Sequence, residues 1–209
     1  MWLPGILVGH SKMEGTYADS IKGYLDRVKS AIDGTSVPAV DRVIDELFKA
    51  YTRGSQVFVF GNGGSASSSS HFACDLGKGT TMPGKPRFRV ISLADNVALM
   101  TAWANDFRYE DIFVEQLANL VQPQDVVIGI SGSGNSPNVV HALQYAKEMG
   151  AITIALTGFA GGKVKDVVDI PIIVPANHIS QIEDVHLVLL HLISVCLHDK
   201  LADLAAQSS

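Results

Sequence analysis

Charge is scarce in this chain, and neither sign dominates it. Only 18% of the 209 residues are charged, and 16 basic against 21 acidic side chains leave a formal net charge of −5. That balance provides no broad basic field, so composition argues against nucleic acid or an anionic membrane surface as a partner. Cysteine is almost missing. Cys74 and Cys196 lie far apart, each inside an apolar, helix-like stretch, and read as buried thiols of a reducing cytosol, not as a disulfide framework. No later run approaches the ~20 apolar residues of a membrane span, and the apolar opening "MWLPGILVG" contains Pro4 and lacks a basic flank. The expectation is a soluble, cytoplasmic protein whose partner is a small molecule.

Nucleotide and hydrolase signatures are also lacking. "GNGGSA" at 61–66 fits G-x-G-x-x-A, but the acidic residue expected ~20 positions on is absent, and "TMPGKPRFRV" stands there. Neither glycine loop contains the lysine-bearing triphosphate cradle, and Ser131, Ser133 and Ser136 fit no register of the nucleophile elbow. No nucleotide cofactor is expected, and the hydroxyls read as binding groups.

What the chain does have is apolar residues, 47% of the total, arranged in two periods. Residues 16–33 and 38–53 carry them at helical spacing and are broken by "DGTSVP", which predicts a helical hairpin at the front. From residue 56 short apolar runs (57–60, 88–93, 125–130, 152–156 and 170–174) alternate with helix-length stretches. Runs without polar alternation are strands covered on both faces, so the fold class is α/β, a three-layer sandwich around a five-stranded parallel sheet. A closing helix is expected from Ser180 to about Leu201. The length suits one domain over 1–209, with 1–54 as a helical extension and 55–209 as the core.

One kind of loop is built twice. "VFVFGNGGSASSS" and "VVIGISGSGNSPN" each pass from a buried strand through a Gly/Ser/Asn turn into a helix start. Such turns serve tight packing as readily as binding. Two of them at carboxyl strand ends, with helix N–H groups and hydroxyls behind them, point to a phosphate-bearing ligand. His71 and Asp75 stand four apart on the helix after the first loop and share a face. On the closing helix Glu183 and His191 stand eight apart on roughly the same side, while His186 points elsewhere. If the two helices meet, two carboxylates and two imidazoles can hold a divalent metal or act as general base and acid.

"GNGGSASSSSHFACDL", "TAWANDF", "GISGSGNSPNVVHAL", "ALTGFAGGK" and "QIEDVHLVLLHLI" together resemble the sugar isomerase (SIS) domain, flavodoxin-like in fold, and within it the phosphoheptose isomerase group. The resemblance runs through nearly the whole chain in order. It implies substrate binding by Asn62, Gly63, Gly64 and Ser65, by Asn105 and Asp106, and by Ser131, Gly132, Ser133 and Ser136, with Glu183 also at the substrate. It implies one zinc per subunit held by His71, Asp75, Glu183 and His191, and homotetramers with active sites between subunits. The group has glutamate where this chain has Asp75 and glutamine where it has Glu183. Asp75 is the first candidate for the base, Glu183 the reserve and His191 the acid. The implied activity is aldose–ketose isomerisation through an enediol, on sedoheptulose 7-phosphate or another sugar phosphate. The alternative is a non-catalytic SIS module that binds a sugar phosphate or a protein; a relative of that kind lacks the carboxylate and the last histidine that Asp75 and His191 supply here.

Overall fold

Alternate residues of the central strands feed two separate cores. In the first strand Val57 and Val59 enter one cluster, with the second helix and the closing helix, while Phe58 and Phe60 enter another on the opposite face. All four are fully buried, so the strand has no solvated side and its sequence has no polar alternation.

The computed structural model describes residues 17–207. The elements are α1 (Tyr17–Asp33), α2 (Val37–Arg53), β1 (Gln56–Gly61), α3 (Gly64–Cys74), β2 (Arg89–Ser92), α4 (Val97–Asp106), α5 (Val114–Leu120), β3 (Val126–Ile130), α6 (Pro137–Glu148), β4 (Ile152–Thr157), β5 (Ile170–Ile173) and α7 (Ile179–Gln207). The expectation about "MWLPGILVG" lies outside the described residues. All five strands are parallel, in the order β2-β1-β3-β4-β5. The chain leaves β1 toward one edge and returns to β3 on its other side. The crevice between the loops after β1 and β3 is therefore the topological switch point, where open α/β sheets take ligands.

The front hairpin forms as predicted. Ser36 caps α2 through a hydrogen bond from the Ala39 N–H at 3.4 Å, and Gly54 at φ 72° ends it. The closing helix is longer than expected, at 29 residues. Among the described residues α7 is long and apolar enough to cross a membrane, against the expectation that no segment comes near that length. Its length belongs to the fold: Ile182, Val185, Leu189, Leu190, Ile193 and Leu197 are buried against the sheet side and the front hairpin.

One further correction arises here. Both thiols are free, but Cys74 is exposed and Cys196 only partly covered. An apolar neighbourhood in sequence does not fix which way one helical residue faces. The helix after the first loop also does not simply end: α3 widens at Asp75–Gly79 into a π-turn, an uncommon element that recurs at functional sites.

Candidate active site

The first loop begins where β1 stops. Gly63 takes φ 57° and ψ −121°, which side chains disfavour, and nothing lies within 4 Å of where its Cβ would be. A ligand can reach the backbone there and meet the start of α3. The Asn62 side chain is already engaged: it exchanges hydrogen bonds with the Asn138 amide, both at 2.9 Å, and its Oδ1 also accepts from the Tyr109 hydroxyl at 2.9 Å. The Asn62 main-chain carbonyl is engaged as well, accepting from the Ser65 N–H at 3.0 Å. Ser65 is buried beneath the turn.

The second loop is held from behind. Gly134 has φ 67°, and a Cβ there would overlap the Gly161 carbonyl. Its carbonyl accepts from the Val164 N–H at 3.0 Å, and the Asn135 carboxamide oxygen accepts from the Lys163 N–H at 3.1 Å. The loop after β4 thus forms a rigid back wall. A Cβ on Gly132 would overlap Ile179, which brings the start of α7 over the loop. Ser131, buried, shares a hydrogen bond of 3.0 Å with Ser136, and Ser133 is exposed, its Oγ accepting from the Asn135 N–H at 3.2 Å. Ser136 occupies the N-cap of α6 but makes no side-chain cap bond. Its hydroxyl therefore stays with the loop, in front of a helix start that favours an anion.

Beside these loops α3 and α7 run side by side in the same direction: Glu183 stands against Gly64, and His191 against His71. His71 Nε2 and His191 Nε2 are 3.1 Å apart, and Asp75 Oδ2 lies 3.6 Å from the first and 3.8 Å from the second. Two imidazole nitrogens and one carboxylate oxygen within 4.8 Å of one another match the donor set of a zinc site that keeps an open position. A cavity of about 330 Å³ borders the group, lined by Asp75, Gly79, His191, Ser194, Val195 and His198.

Of the four predicted ligands, the structure brings three together. Both Glu183 carboxylate oxygens lie 3.4 Å from the Cβ position of Gly64, at the start of α3 and outside the three-residue group. That turn of α7 is fixed from the other side, where the Tyr24 hydroxyl donates to Asp184 at 2.5 Å. The same hydrogen bond, with some burial, pushes the Tyr24 hydroxyl up to about 12.

Asn105 and Asp106 end α4, exposed, with the Asn105 amide donating to Asp106 at 2.8 Å. Three residues further on, Tyr109 bonds Asn62, which brings this segment to the mouth of the first loop. Tyr109 and Asn138 were not foreseen as site residues. Asn138, 1% exposed, lies in "GNSPN", where a polar residue just inside a helix after Pro137 was the available signal.

These features define an open parallel α/β protein with two glycine–serine loops at its switch point and a histidine–carboxylate group beside them. Residues 16–158 match the family model described as SIS domain, and the chain belongs to that family. A probable phosphoheptose isomerase of Thermoplasma acidophilum is 36% identical over 179 residues, covering 86% of this chain and 98% of the relative. A phosphoheptose isomerase of Citrifermentans bemidjiense is 38% identical over 166 residues, covering 79% and 86%. Among solved structures, a phosphoheptose isomerase from Francisella tularensis superposes with a TM-score of 0.82 at 28% identity, over 88% of this chain and all of that one.

Proposed function

We propose that this protein is an aldose–ketose isomerase of sugar phosphates whose substrate is sedoheptulose 7-phosphate. The observation that carries the reading is the joint placement of two glycine–serine loops at the switch point and the His71, Asp75, His191 group beside them. Ser131, Ser133 and Ser136 with the start of α6 bind the phosphate, and the open backbone at Gly63 and Gly64 receives the sugar. His71, Asp75 and His191 would hold a zinc ion, which supplies Lewis-acid polarisation of a carbonyl oxygen. A carboxylate takes the proton from the carbon next to the carbonyl, an enediol forms, and the proton returns to the neighbouring carbon, with His191 as the acid.

Incubation with a panel of ketose phosphates, following aldose formation, tests the reading. Sedoheptulose 7-phosphate is expected to turn over fastest, and no turnover of any member rejects it. In the same assay Ser133→Ala and Ser136→Ala should raise KM by about one to two orders of magnitude, since a hydrogen bond to a charged group contributes roughly 1.5–3 kcal/mol. An unchanged KM in both moves the phosphate elsewhere.

The chain reads as one domain over 1–209 that assembles as a homotetramer with its sites between subunits. The support is apolar surface: Tyr17, Ile21 and Leu25 along α1 and Val188, Leu192 and Val195 along α7 are exposed, and the His71 and His191 side chains are about half-exposed, at 49% and 48%. Catalysis on a carbonyl needs a drier setting than that. Light scattering should give about four times 22.3 kDa, and a monomer mass overturns the assembly.

A further inference from the structure

The two carboxylates near the site stand in different surroundings. Asp75 lies between two imidazoles, 3.6 Å and 3.8 Å from their Nε2 atoms, on a side chain 27% exposed. Its reach is short, and its Oδ2 is turned to the two imidazoles. Glu183 makes no hydrogen bond or ion pair to another of the described residues. Its two oxygens meet Gly64 where the first loop opens, and the start of α3 attracts an anion to that point. From Gly64 to His71 the axis of α3 rises ~10 Å, so the carboxylates stand toward opposite ends of the facing stretch of α3 and α7. The open backbone at Gly63 and Gly64, which receives the sugar, therefore has a free carboxylate oxygen beside it in Glu183 and not in Asp75. A general base needs that free oxygen within reach of the substrate.

We propose that Glu183 removes the proton, and that Asp75 serves with His71 and His191 as a cation ligand and not as the base. The inference rests on the isomerase reading above and assigns the residue that performs its central step. The proton passes from the carbon next to the carbonyl to a Glu183 oxygen. The C–H electron pair becomes the enediol double bond, and the carbonyl oxygen takes a proton from the acid at the histidine end. Glu183 then returns its proton to the former carbonyl carbon, which is reduced, while the hydroxyl on the carbon that lost its hydrogen gives its proton back to the acid and that carbon becomes the new carbonyl, so no outside reductant or oxidant is needed. The exchange of an amide for a carboxylate at position 183 and the shorter side chain at position 75 become one linked change: the base moved from one helix to the other.

Three variants test this on the full chain: Glu183→Gln, Asp75→Asn and the double variant Asp75→Glu with Glu183→Gln. The readouts are zinc bound per chain, measured by elemental mass spectrometry, the Kd for sedoheptulose 7-phosphate, and deuterium incorporation from D2O followed by NMR. Glu183→Gln is expected to keep its zinc and its Kd within a few-fold while exchange falls ~10²–10⁴-fold. Asp75→Asn is expected to lose zinc, and the double variant to recover exchange above Glu183→Gln alone. Exchange in Glu183→Gln within threefold of the unaltered chain overturns the proposal, as does loss of zinc from that variant, which makes Glu183 a fourth ligand. If the unaltered chain exchanges no deuterium, the isomerase reading fails, whereas the zinc measurements on substrate-free protein still decide the ligand half.

Discussion

Replacing His191 by asparagine should lower kcat by about two to four orders of magnitude while the chain stays folded, since loss of a general acid or of a metal ligand at a reacting centre costs on that scale. The imidazole is half-exposed in the single chain, with its Nε2 3.1 Å from His71 and 3.8 Å from Asp75. Its removal therefore opens no buried cavity, and the thermal midpoint should move by no more than a few degrees. An asparagine amide fills much of the same space but neither donates nor accepts a proton near neutral pH. If activity falls because binding is lost, KM rises and kcat holds; if proton transfer is lost, kcat falls at similar KM. The second pattern is expected, and an enzyme with unaltered kcat removes His191 from the chemistry.

The other large effect concerns acid stability and comes from His186, which is 1% exposed. Its Nε2 lies 3.2 Å from the Thr157 carbonyl oxygen and donates to it, while Nδ1 is buried with no partner. Burial pushes the imidazole down to about 4, against a smaller opposing effect of the Thr157 hydrogen bond. Above pH ~6.5 the ring is neutral in both the folded and unfolded chains and the folded state keeps its full stability. Between pH 6.5 and 4 the unfolded chain takes up a proton that the folded chain refuses, so stability falls by up to ~1.4 kcal/mol per pH unit, roughly 3 kcal/mol in all. His186→Gln keeps a donor for Thr157 and does not titrate. Urea unfolding at pH 7.5, 5.5 and 4.5 should show a shallower acid decline in that variant than in the unaltered chain, whatever its stability at pH 7.5. Parallel declines reject the assignment.

Sequence made the strands legible because each is buried on both faces: the runs predicted at 57–60, 125–130 and 170–174 match β1, β3 and β5 to within a residue or two. The loops were visible through glycine and serine at strand ends, and the pairing of His71 with Asp75 through their i, i+4 spacing. Glu183 was harder to place. A spacing of eight puts it on the face of His191 but ~12 Å along the helix axis, and spacing says nothing of which neighbour fills that height. The neighbour is Gly64, whose missing side chain makes the room. The Asn62–Asn138–Tyr109 network was out of reach because its members come from three separate segments and only the folded sheet brings them together. Cys74 was misread because an apolar surround in sequence does not tell which side of α3 a residue faces.

The side-by-side run of α3 and α7 also determines where the chain tolerates a change of length. Adding or deleting one residue between Gly64 and His71, or between Glu183 and His191, would turn everything beyond it by ~100° and slide it by ~1.5 Å, carrying one histidine away from the other. No loop adjustment can undo that, because both helices are fastened to the sheet by buried residues on either side of the change, among them Phe72 on α3 and Leu190 on α7. The connection from the π-turn to β2 holds none of the residues assigned to binding or chemistry, and neither does the turn between α1 and α2. Insertions and deletions in this lineage should therefore collect in those connections, with the 64–75 and 183–191 stretches constant in length.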